Sequence, residues 1–451
     1  MLGRVFTGLA VLLCLSGLYG QVDFRQSIRQ DYLMRDVYTL AADSFEGRRT
    51  GEYGQHKAAD YLISVLEENT VPAYGESYKQ SFGLWKKNLS GELWNQQNKL
   101  VFPRDFGFSS IYEPFQFEGT IPVYASVKEA VKSSREKVIC IQAKSLMKFD
   151  IRGIKKLNVD LVIVACEMYQ SDYFSSKIDD EDLAFQGIPK TKLIYVSASK
   201  LKDLSTGKID IKLDLNPGKK AVETENVVAW IEGSDPKLKK EFVVISGHYD
   251  HLGIHNGKVH NGADDNGTGS ATMLELARLF RLLKEQGKGS KRSLLFVWFT
   301  GEEMGLFGSR YYTTHPMVPL EKTIVNLNID MIGRNEDGVE DGERKIFLVG
   351  ADRISKRLHE ISSETAAKKS GLVLDYKYND RKDPLRLYYR SDHYNFAEKG
   401  IPCIFYFGGF HKDYHQATDD AEKIDFIKVR EVALLVAHTA WELLNMEGSL
   451  K

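Results

Sequence analysis

The stretch Phe242-Val243-Val244-Ile245-Ser246-Gly247-His248-Tyr249-Asp250 opens on four apolar residues and closes on an imidazole and a carboxylate two positions apart. Working outward, the same design recurs. Apolar runs lie at 227–231, 294–299, 324–329, 346–349 and 403–407. Helix patterns separate them. Residues 270–286 put Met273, Leu276, Ala277, Phe280 and Leu283 on one stripe with Gly287 as the stop, and 426–445 is a second long amphipathic segment. Continuous apolar strands alternating with helices predict an α/β fold, a central mixed, mostly parallel sheet flanked by helices.

Upstream, the pattern changes. Residues 32–68 read as helical, broken by a turn at Glu46-Gly47-Arg48-Arg49-Thr50-Gly51. From about residue 84 to 215, short β-branched runs (138–141, 161–164, 193–196) alternate with lysine-rich stretches and carry no ligand or nucleophile spacing. This predicts an inserted β-rich module. The expected organisation is 1–20 signal peptide, 21–83 amino-terminal helical part of the catalytic domain, 84–220 insert and 221–451 catalytic domain.

Of 451 residues, 61 are Lys or Arg and 62 are Asp or Glu, so 61 − 62 = −1, which argues against a dedicated nucleic-acid binder. Arg4 followed by an uncharged apolar run at 5–18, shorter than the ~20 residues of a membrane-spanning helix, reads as a secretory signal, with an uncleaved anchor as the alternative. Without another long apolar run, the mature chain is expected to have no membrane span and to be secreted, periplasmic or held at the cell surface. Cys140, Cys166 and Cys403 then remain, too few for a disulfide framework. Cys140 and Cys166 read as buried small hydrophobes, a bridge between them being the alternative.

The chemistry gathers at strand ends. The run 242–246 leads into His248 and Asp250, 294–299 into Glu302-Glu303, 324–329 into Asp330, and 403–407 into a glycine loop ending at Tyr414-His415. A further loop, Gly262-Ala263-Asp264-Asp265-Asn266-Gly267-Thr268-Gly269, precedes the first helix. Open α/β sheets bind ligands beyond the carboxyl ends of their strands, so these groups are placed to converge. Imidazole with carboxylate suits zinc, and two ions ~3.5–4 Å apart sharing a carboxylate need five ligands, leaving one carboxylate free as a base. A lone three-ligand zinc is the simpler alternative. His251, His255 and His260 read as a solvated loop.

Together with Asn328-Ile329-Asp330-Met331-Ile332-Gly333 and Arg390-Ser391-Asp392-His393, these motifs resemble the secreted co-catalytic two-zinc aminopeptidases, whose superfamily also contains glutamate carboxypeptidases and glutaminyl cyclases. The likeness covers roughly 226–445. The stretch Leu40-Ala41-Ala42-Asp43-Ser44-Phe45-Glu46-Gly47-Arg48 also resembles the opening helix of secreted members, and the insert is similar, more weakly, to a protease-associated domain. The resemblance implies a zinc exopeptidase fold with two zinc ions per chain. His248 and Asp330 would hold one, Glu303 and His415 the other, and Asp265, chosen over Asp264, would bridge them. It further implies Glu302 as general base, Asp250 as the carboxylate orienting His248, and Tyr414 as the phenol at the oxyanion. Arg390 would touch the peptide main chain.

The expected activity is removal of amino-terminal residues from peptide substrates by metal-activated water. A single-zinc glutaminyl cyclase and a peptide-binding protein with a residual metal site are the competing readings. Oligomeric state and side-chain preference are not fixed by the sequence.

Overall fold

The computed structural model describes residues 23–100, 105–109, 114–144, 149, 151–154, 156–167, 183–184, 191–255, 257–339 and 342–450. The expected signal at 1–20 lies outside them. Helices α1 (Gln30–Leu40) and α2 (Tyr53–Glu68) precede a long strand, β1 (Lys79–Asn95). Next come β2 (Phe115–Tyr124), β3 (Val138–Ala143), β4 (Leu161–Cys166), β5 (Lys192–Ser197) and the 24-residue β6 (Lys208–Ile231). The remainder runs β7 (Phe242–His248), α3 (Gly269–Glu285), β8 (Ser293–Phe299), β9 (Thr323–Asp330), β10 (Lys345–Val349), β11 (Val373–Asp375), β12 (Cys403–Phe407) and α4 (Phe426–Asn445).

The central order is β11-β10-β12-β9-β7-β8-β6. Strands β8, β7, β9 and β12 are mutually parallel, while β6 and β10 join antiparallel. The sheet is therefore mixed and helix-flanked, as the apolar runs imply. Its two-residue period separates two cores. Val243, Ile245, Leu294, Phe296 and Trp298 face one core, which also takes Leu33, Leu62, Leu276 and Val436 from α1 to α4. Their neighbours Phe242, Val244, Leu295, Val297 and Phe299 face the other, beside Tyr312 and Phe396. A strand buried on both faces admits amides and hydroxyls that pair with one another, but it has no place for a charge until it ends. The carboxylates and imidazoles accordingly lie at or beyond the strand ends.

The insert hangs on a ribbon. Strand β1 pairs antiparallel with β6 from Lys79↔Val227 to Asn95↔Ile211, and the far half of β6 continues into the β2-β3-β4-β5 sheet. One strand thus crosses from the central sheet into the insert. The insert has its own cores, one holding Val138, Cys140 and Ile163, the other Ile139, Ile141 and Val164. Cys140, Cys166 and Cys403 are free and buried. Cys140 pairs with Ile163 and Cys166 with Ala143, so the two are three residues out of register, ~10 Å along the strands and beyond disulfide reach.

Candidate metal centre

Register brings the strand ends together. His248 lies beside Phe299 and Asp330 beside Phe407, so His248, the Thr300–Glu303 turn, Asp330 and the loop after β12 share one edge. The loop before α3 is fixed to β9 by Asn266. Its Nδ2 donates to Ile329 O at 2.8 Å while its Oδ1 accepts from Gly269 N at 3.0 Å and Met331 N at 3.2 Å. Asp264 is turned away, accepting from Gly333 N at 2.5 Å and from Thr268 Oγ1 at 3.1 Å. Asp265 instead faces the imidazoles.

Four distances define the centre. His248 Nε2 lies 3.2 Å from Asp330 Oδ1 and 3.4 Å from Asp265 Oδ1. His415 Nε2 lies 3.3 Å from Asp265 Oδ2 and 3.2 Å from Glu303 Oε2. A tetrahedral ion with bonds of about 2.0–2.1 Å holds its ligand atoms about 3.3–3.4 Å apart. Each oxygen of Asp265 therefore faces a different imidazole, His248 beside Asp330 on one side and His415 beside Glu303 on the other, and Glu302 and His251 stand within ligand reach of the same groups.

The charges point the same way. Asp250, Asp265, Asp330 and Asp392 are buried, Glu302 and Glu303 stand half-buried among them, and neither oxygen of Asp392 has a hydrogen-bond partner. Burial would lower His248 and His415, yet the carboxylates around them raise both, His415 to about 10. Burial would raise Asp265 and Glu303, but the imidazoles hold Asp265 well below the usual carboxylate range and Glu303 at about 2. Burial itself raises Glu302, Asp330 and Asp392, the last to about 7, and Glu302 is raised further by Glu303, Asp330 and Asp392. Carboxylates buried at this density cost several kcal/mol each unless a cation joins them. The donor set fits two divalent ions.

The surrounding groups hold these ligands in place. His248 Nδ1 meets the Asp250 backbone carbonyl at 3.1 Å and its carboxylate at 3.6 Å. The Asp250 carboxylate is more closely tied elsewhere, accepting from Thr50 Oγ1 at 2.8 Å and from Glu302 N at 3.2 Å. It therefore sets the backbone of the proposed base as well as the ring. The alternating polar residues of β9 form a chain: Asn326 Nδ2 donates to Ser246 Oγ (2.8 Å), Ser246 to Asn328 Oδ1 (2.8 Å), Asn328 Nδ2 to Ser391 Oγ (2.9 Å), and Ser391 to Asp330 Oδ2 (2.8 Å).

His251 requires a correction. It is not in a solvated loop but fully buried, with Nδ1 2.7 Å from Glu303 Oε1 and 3.9 Å from Asp265 Oδ2. The short contact is a hydrogen bond to the Glu303 oxygen that His415 does not meet. His255 and His260 lie on the strand pair Gly253–His255 and Lys258–His260, their rings 5.1 Å apart.

A cleft of about 240 Å³ opens onto the centre, lined by Glu302, Met331, Leu387, Phe405, Phe407, Phe410, Arg390 and Tyr414. Tyr414 stacks on His415 with centroids 3.8 Å apart, and Arg390 donates to its hydroxyl at 3.3 Å. Arg390 is exposed at the rim, over the Phe410 ring. Among the described residues, no helix is long and apolar enough to cross a membrane.

Aminopeptidase YwaD of Bacillus subtilis is 29% identical over 220 residues, 47% of this chain and 43% of that protein. A probable leucine aminopeptidase of Arthroderma benhamiae is 30% identical over 218 residues, 46% of this chain and 56% of the other. The chain thus spans about half the length of the curated relatives it matches. In fold, it is similar to an aminopeptidase from Aneurinibacillus sp. strain AM-1 (TM-score 0.64, 17% identity, 95% of this chain and 96% of that one). It is also similar to the zinc aminopeptidase BSAP of Bacillus subtilis (TM-score 0.57, 19% identity, 94% and 97%). The model of peptidase family M28 matches residues 226–440.

Proposed function

We propose that the protein is a two-zinc aminopeptidase that removes amino-terminal residues from peptides outside the cytoplasm. The observation that carries this reading is Asp265, whose two oxygens each lie within 3.4 Å of a different imidazole Nε2. His248, Asp330 and Asp265 would hold one ion, and His415, Glu303 and Asp265 the other. Bound there, the ions would polarise the scissile carbonyl and acidify a water between them.

The rest is work for the chain. Glu302, which lies close to His248 and Asp330, would be the general base, taking a proton from the attacking water and giving it to the leaving amine. Its surroundings suit the task, because burial and neighbouring carboxylates raise its proton affinity. The Tyr414 hydroxyl, hydrogen-bonded by Arg390, is the donor available to a developing oxyanion. Glu302 and Asp330 are the acidic groups for a free α-amine. Arg390, at the rim, would meet the peptide main chain. Met331, Leu387, Phe405, Phe407 and Phe410 suit a large apolar amino-terminal side chain, in keeping with the leucine aminopeptidases among the relatives.

The test is a panel of aminoacyl reporter amides, free and amino-acetylated, with and without a chelator. Chelator-sensitive release from the free-amine set alone, led by leucyl and phenylalanyl reporters, is expected. Silence across the panel with metal bound would overturn the reading in favour of a cyclase or a binding protein.

A further inference from the structure

Arg48 is 1% exposed and lies outside the segment that carries every ligand. Its guanidinium donates to four backbone carbonyls: Nε to Tyr249 O at 2.8 Å, Nη1 to Leu40 O at 2.5 Å and Asn261 O at 2.6 Å, and Nη2 to Gly262 O at 2.9 Å. Among the described residues, no carboxylate stands within ion-pair distance of it. A buried guanidinium without a carboxylate is costly, so its contacts must hold something in return.

What they hold is a loop closed at both ends. Tyr249 follows His248, and Asn261-Gly262 lead into Asp265, so Arg48 ties together the two roots of the segment between these ligands. Its neighbours on the same corner do likewise. The Arg48 carbonyl accepts from His251 N at 3.2 Å, Thr50 Oγ1 donates to Asp250 at 2.8 Å, and Asn261 Nδ2 donates to Asp43 at 2.9 Å. Gly47, at φ +64°, lies so close that a Cβ there would come within 2.4 Å of His260 O and 2.6 Å of Gly253 O. Arg48 itself holds a left-handed φ of 53°, a conformation that needs support from around it. Burial lowers its guanidinium to about 10, against the raising effect of Asp265, Asp250, Asp419 and Glu303.

We infer that Arg48 is a positioning residue for the metal centre: its four-carbonyl fork fixes His248 and Asp265 at the spacing one ion requires. The residue touches no ligand side chain. It acts through the backbone, so its contribution is preorganisation and not charge. Lysine would keep the charge but, with a single nitrogen, could not span carbonyls on both roots of the loop.

The inference rests on the two-metal reading, and the experiment separates the two. Zn²⁺ dissociation constants are measured against a chromophoric chelator for the wild type, R48M and R48K, each checked for native fold by near-ultraviolet circular dichroism. Two tight sites in the wild type uphold the underlying reading; fewer would remove it whatever the variants do. Groups that orient ligands typically contribute 10–100-fold in metal affinity. Both variants are therefore expected to bind Zn²⁺ about 10–100-fold more weakly, with turnover at saturating zinc changed far less. Affinity within twofold of wild type in folded R48K, alongside a lower Tm of the metal-free protein, would make Arg48 merely structural and overturn the inference. Recovery of affinity in R48K but not R48M would also overturn it, by assigning the effect to charge. Should R48M fail to fold, R48K decides between the same outcomes.

Discussion

At the scale of single residues, the proposed mechanism separates groups that would bind metal from the one that would act as base. Glu302→Gln keeps the shape and removes the base. Turnover should fall about 10²–10⁴-fold with two metals still bound, and near-normal turnover would remove Glu302 from that role. Asp265→Ala should empty both sites, because each trio loses one oxygen; metal analysis showing two ions retained would contradict the bridge. Ser391→Ala strands Asn328 Nδ2 and frees Asp330 Oδ2, at a cost of about 1–3 kcal/mol measured by denaturant unfolding. The residues of the candidate centre that stand at strand ends, His248 and Asp330, are legible in the sequence because a doubly buried strand can place a carboxylate or imidazole only where it ends. His251 is not. Its burial depends on the corner around Arg48 packing over the loop, a contact 203 residues apart in sequence that no local pattern encodes. The sequence signal for that corner is Glu46-Gly47-Arg48, which reads as a turn and resembles a stretch of secreted aminopeptidases, neither of which points to a contact with the loop.

At the scale of elements, helix α2 is fastened to the ribbon by His56, whose Nδ1 lies 3.0 Å from both oxygens of Glu225 on β6. The hydrogen bond to Glu225 raises the His56 pKa above its usual value. A raised folded-state pKa gives stability that is fully present below the unfolded value near 6.5 and is lost as pH rises through the folded one. The Tm gap between wild type and His56→Ala should therefore be open at pH 5.5 and closed by pH 9; an equal gap at both would refute the ion pair. The central strands and the helices over 269–285 and 426–445 followed directly from periodicity. The ribbon did not, although its cue is present: Ile209, Ile211, Leu213 and Leu215 alternate with Lys208, Asp210, Lys212 and Asp214, a strand with one buried face. Lysine-rich composition masked a two-residue period.

At the scale of the whole molecule, two sets of cores share one continuous strand. The insert's apolar clusters contain no residue of those on the central sheet, and every candidate ligand sits on the side of the central sheet. Metal binding should therefore stabilise unevenly. An ion at a hundredfold excess over its Kd adds about 2.7 kcal/mol to the unit that binds it. In calorimetry, chelation should lower the transition of the catalytic half and leave that of the insert in place. A uniform shift would mean that β6 welds the two into one cooperative unit.

The claim on which the rest depends is that two ions, joined by Asp265, hydrolyse peptides from a free amino terminus. The most direct measurement adds zinc back to chelator-stripped protein while following release from a leucyl reporter amide and its acetylated counterpart. Activity that rises to a break at two equivalents per chain, with the acetylated amide inert, is the predicted result. A break at one equivalent, equal cleavage of the acetylated amide, or no release with both sites filled would contradict it.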